Sequence, residues 1–96
     1  MPMPHDALCS DVIANDQLLI SLASVLDESM EGWFFQYFEL YVFCRIRHKW
    51  LAPIHLPFQN VFSMHLLGFV DSDLIHLLIK SEHVDYLELL LLRLTP

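Results

Sequence analysis

The chain has 96 residues, 55% of them hydrophobic and nineteen of them leucine, and twelve acidic against five basic residues give a net charge of −7. A single domain of this size buries about 60–65% of the surface its unfolded form exposes, so its core is modest and the apolar surplus asks for a second copy or a partner. The charge excludes phosphate-backbone binding as the main role, two cysteines exclude a disulfide scaffold, and no run of ~18 apolar residues offers a spanning helix.

Residues 1–10, with Pro2, Pro4 and His5, read as a flexible lead-in to one small domain over 11–96. They lack the basic and apolar regions of a signal peptide. Asn15 is then a natural N-cap with Asp16 behind it. Leu18, Leu19, Leu22, Val25 and Leu26 follow at helical spacing, and Gly32 offers a stop, so this stretch predicts an amphipathic helix.

The segment 33–50, WFFQYFELYVFCRIRHKW, fits two periods. As a helix, it lines up Phe35, Phe38, Val42 and Ile46, and Arg45, Arg47, His48 and Lys49 at its end suit the helix dipole. As a strand, Phe38, Leu40, Val42, Cys44 and Ile46 alternate with Glu39, Tyr41, Phe43, Arg45 and Arg47. Most strands run ~3–10 residues, which tips the expectation toward helix.

Pro53 and Pro57 in LAPIHLPFQN mark a connector. NVFSMHLLGFV, with Asn60 as a cap, is apolar on nearly every side and fits a buried helix or strand. The remainder reads as two short helices. Asp71, Ser72 and Asp73 cap the first and Lys80 closes it; Ser81 caps the second, with Glu82 and Asp85 in its first turn and Arg93 in its last. Two LxxLL runs, Leu74–Leu78 and Leu87–Leu91, resemble the short helical peptide of nuclear-receptor coactivators, and core packing is the simpler reading of both. The expected fold is mostly α, a compact bundle of four to five short helices. The alternative is α+β, with strands near 34–47 and 60–70.

Little in the chain points to catalysis. The six histidines form no HExxH or HxxxH, and no CxxC is present, so a metal site would have to be assembled from distant residues such as His76, His83 and Cys44. A helix would place Cys44 four residues from His48, but nothing supplies an oxyanion hole or an orienting third group, and Cys44 reads as a small core residue. Glycine-rich phosphate loops are missing, and Asp27/Glu28 and Asp71/Asp73 read as caps. No catalytic residue, cofactor or metal is expected. The basic cluster Arg45, Arg47, His48 and Lys49 beside Trp50 is too isolated for nucleic acid and suits a charge-matched protein contact.

The functional expectation is a cytoplasmic, non-enzymatic interaction or regulatory module that self-associates or covers another protein. Phe34, Tyr37, Tyr41 and Trp50 are the expected contact residues, with Arg45 and Arg47 orienting the partner. A peripheral membrane protein using segment 33–50 is the alternative, and a His-based metal-binding protein comes after it.

Overall fold

A period of two sorts the side chains of this protein. The computed structural model describes residues 7–28, 34–58 and 61–94, and every regular element among the described residues is a β-strand. The first sheet holds β1 (Ala7–Ala14), β2 (Leu18–Glu28), β3 (Phe34–Cys44), β4 (Lys49–Trp50) and β5 (Ile54–Leu56). Its antiparallel order is β1-β2-β3-β4, and β5 also pairs with β3. The second sheet is the antiparallel meander β6 (Val61–Asp71), β7 (Leu74–Ser81) and β8 (Leu87–Arg93).

Register decides which residues meet. Ile20 lies opposite Val42 and Leu22 opposite Leu40, and all four are buried on one face. Met64 and Leu66 of β6, with Ile75, Leu77 and Ile79 of β7, form the facing layer, and the two sets join in one core with Phe38, Leu56 and Val61. Burying a Leu or Ile side chain stabilises by about 1.5–3 kcal/mol, whereas helix propensities of ordinary residues differ by at most about 0.7 kcal/mol. Local helical preference is thus too small to decide the fold by itself.

The helical bundle expected from the sequence is wrong, and the α+β alternative fails with it. β3 and β6 occupy the segments 34–47 and 60–70 where strand was the alternative, but the segments expected to be helical are strands as well. β2 is a central strand with Ile20 and Leu22 buried on one face and Ala23 and Val25 on the other. A strand buried on both sides loses its polar alternation, and its leucines then match a helical stripe by coincidence. β3 ends at a turn that starts at Arg45, so it runs eleven residues and exceeds the usual ~3–10 only slightly. The LxxLL runs lie in β7 and β8, where successive side chains alternate between faces instead of sharing one.

The capping residues keep their chemistry and change their setting. Asn15 Oδ1 accepts from the backbone N–H of Gln17 at 2.8 Å and of Leu18 at 2.7 Å, closing the β1–β2 turn instead of a helix. Asp71 Oδ1 accepts from the N–H of Ser72 at 2.8 Å in the two-residue link between β6 and β7. Lys80 Nζ donates to the carbonyls of Ser81 and Val84, bracing the β7–β8 turn. Gly32 and Asn60, expected as helix stop and cap, lie outside the described residues.

Asp11 ties the sheets together where β1 lies against β6. Its Oδ2 accepts from the backbone N–H of Leu66 at 2.9 Å and sits 3.5 Å from His65 Nδ1. A register shift in β1 between Cys9 and Asp11, and another in β6 between Leu66 and Gly68, bend both strands at this junction.

Candidate functional site

Three surfaces compete for a role. The first is the face of β3 turned away from the main core, which carries Tyr37 and Tyr41 of the expected contact residues and is buried at Tyr41 and at Ala23 and Val25 of the adjoining β2. Tyr37, Glu39, Tyr41 and Phe43 share this face, since their neighbours Phe38, Leu40 and Val42 point into the core. The aromatics there are largely engaged with one another. Tyr37 lies 4.9 Å from the His55 ring and Phe43 5.3 Å from that of Trp50, both in tilted pairings. Tyr41 is 2% exposed, and its hydroxyl donates to Glu39 Oε1 at 3.4 Å. Burial, reinforced by the Glu39 carboxylate, holds its phenol above the ordinary value of 10.0. Tyr37 is half-buried, and the side chain of Phe34 lies outside the described residues.

Of the six expected contact residues, Arg45, Arg47 and Trp50 are exposed. Arg45 is bound within the fold: its Nη1 donates to the carbonyl of Asn15 at 2.6 Å. Arg47 makes no hydrogen bond or ion pair among the described residues. The structure therefore separates the two arginines that the sequence treats as equivalent.

The second surface is the outer face of the smaller sheet, which sequence reasoning missed. Ile75, Leu77 and Ile79 face the core, so the alternate β7 residues Leu74, His76, Leu78 and Lys80 face out. Across the ladder their partners on β8 are Arg93, Leu91, Leu89 and Leu87. Leu87, Leu89 and Leu91 are 58%, 56% and 58% exposed, and β8 is an edge strand among the described residues. β6 adds Phe62, Leu67 and Val70, all exposed and each the extra residue of a bulge. In LELLLLR the outward leucines are hidden among inward ones, so only the register against β7 distinguishes them.

The third is an apolar cavity of about 620 Å³ at one end of the sandwich. Leu18, Val42, Cys44 and Ile54 of the larger sheet line it, and Leu94 closes it beyond β8. Arg47, Leu51 and Ala52, all exposed, line its solvent side. The turns at this end are bonded to each other. Asn15 Nδ2 donates to Ser72 O at 3.2 Å, the N–H of Leu94 to Asp73 O at 2.7 Å, and Arg93 pairs with the Asp73 carboxylate at 2.8 Å.

Among the described residues, no three of His, Cys, Asp and Glu gather as a metal set, and no helix is long and apolar enough to cross a membrane. Fold and surface together define a small two-sheet antiparallel β protein with one outward apolar face. No family model, curated protein or solved structure matches the chain.

Proposed function

We propose that the protein is a non-enzymatic, cytoplasmic interaction module that self-associates through the outer face of its smaller sheet. The observation that carries this reading is the row Leu87, Leu89 and Leu91, more than half exposed and backed by Leu74, His76 and Leu78. Exposed apolar patches with polar margins mark association sites. The margins here are Lys80, Arg93, Asp71 and His65.

The leucine row is apolar along its length, so a second copy can match it, and charge opposes that pairing least on this face. Two bodies of net charge −7 repel, and their repulsion is least where the meeting surfaces carry few acids. Across its paired positions this face holds one acid, Asp71, against Lys80 and Arg93. Sheets stack face to face at ~10 Å, and two copies related by a two-fold axis would interdigitate the leucine rows. Three strands at ~4.8 Å spacing and about seven residues at ~3.3 Å give a face of roughly 14 by 23 Å. That is short of the ~800 Å² per partner of a standard interface, so the dimer belongs to the weak, concentration-dependent class.

Sedimentation equilibrium over a concentration series tests this. The expected result is a monomer–dimer equilibrium that Leu89→Glu shifts at least tenfold toward monomer, with the circular dichroism spectrum unchanged. A strictly monomeric protein, or a dimer indifferent to Leu89→Glu and Leu91→Glu, would overturn it.

A further inference from the structure

We propose that the cavity at the turn end of the sandwich binds a free single-chain amphiphile with an anionic head, a long-chain carboxylate, its tail between the sheets and its head at Arg47. This site is separate from the outer face of the smaller sheet and does not depend on it. Its volume of about 620 Å³ lies within the roughly 300–1,000 Å³ of small-molecule pockets. Apart from the Cys44 thiol and Arg47, the side chains lining it are aliphatic, so it suits a hydrocarbon and offers little to a polar ligand.

The head group follows from the charges at the mouth. Arg47 engages no acceptor among the described residues, unlike Arg45 and Arg93. Arg45 and Lys49 stand in or beside the same turn, which makes it the most basic stretch of an acidic chain, and Arg47 is the one of the three that lines the cavity. A guanidinium presents paired donors to a planar carboxylate. A neutral lipid would leave that charge unmatched, and a cationic one would be repelled.

Exposed Ile46, Trp50 and Leu51 beside the same basic turn would also suit the surface of an anionic bilayer. The cavity favours the free amphiphile, because a flat surface has no tail to place between the sheets.

Cys44 reports occupancy, being half-buried and part of the cavity wall. The experiment follows alkylation of Cys44 by iodoacetamide in the unaltered protein, read by peptide mass spectrometry, with dodecanoate below its micelle threshold. Saturating dodecanoate is expected to slow modification about fivefold or more. Decanoate should need roughly tenfold more for the same effect, as two methylenes fewer are buried. Dodecanol should protect less than dodecanoate, and Arg47→Gln should abolish that difference while keeping the protection by dodecanol.

An unchanged Cys44 rate in dodecanoate overturns the proposal. So does equal protection by acid and alcohol in the unaltered protein, which needs no variant to fold. Protection by phosphatidylglycerol vesicles with none from dodecanoate would assign this end to a membrane surface and overturn it as well.

Discussion

Tyr41 shows how one side chain can be misjudged from its type. Large aromatics on an ambiguous segment suggest a contact surface, but at 2% exposure this ring belongs to the fold, with its hydroxyl on Glu39. Its phenol is held protonated above the ordinary 10.0, first by burial and then by the nearby carboxylate. The folded state therefore keeps a proton that the unfolded state releases near pH 10. Stability is intact below that pH and falls as pH rises through the raised folded value. Urea midpoints measured between pH 8 and pH 11 should drop on the alkaline side, and Tyr41→Phe should flatten the drop. A drop of the same size in the variant would assign it to other groups. His48, at φ 55°, is another residue whose setting the sequence conceals: it takes a left-handed turn position usually given to Gly or Asn, and this turns the chain from β3 toward β4.

At the scale of elements, the junction of β1 with β6 rests on Asp11. Removing its carboxylate leaves the N–H of Leu66 without that acceptor in a partly buried setting, which costs about 1–3 kcal/mol. The His65 contact is worth less, because the imidazole is 56% exposed and such pairs contribute about 0–1 kcal/mol. Asp11→Ala should thus lower Tm by about 4–8 °C for each kcal/mol lost. Asp11→Asn, which keeps an acceptor, should recover most of it, and His65→Ala should change Tm little. Equal losses from Asn and Ala would transfer the role to the ion pair. The sequence placed Asp11 in the domain without giving it a role, since its partner stands 55 residues away. Asn15, Asp71 and Ser72 were read as helix caps, and only their local side-chain-to-backbone bonding was legible, since each closes a turn between strands. The kind of reversal was not, since the same side-chain-to-backbone bond closes a helix start and a hairpin turn.

For the whole molecule, the decisive quantity is the ratio of apolar face to net charge. A dimer joined through leucines and repelled by a charge of −7 on each copy should tighten when salt screens the repulsion. The Debye length shrinks from ~30 Å at 0.01 M to ~8 Å at 0.15 M ionic strength. Sedimentation at those two ionic strengths should show a severalfold lower dissociation constant in the saltier buffer. Weakening with salt would mean that Lys80, Arg93 and Asp71 hold the copies together instead of the leucine row.

The connector expected between Pro53 and Pro57 is instead the strand β5, paired with β3 and placing Leu56 in the core. The sequence by itself determined a small, acidic, apolar-rich chain and a basic cluster from Arg45 to Lys49. These follow from composition and adjacency along the chain, and they hold in any fold. Tertiary structure alone decided that the elements are strands. β2 and β7 are apolar on alternating and intervening positions alike, so neither period stands out, and the choice falls to long-range pairing worth more than local propensity. It alone also decided which leucines face solvent. A shift of one residue between β7 and β8 would bury Leu89 and expose Leu90, and that register is fixed by the hairpin pairing together with the face of β7 that meets the core.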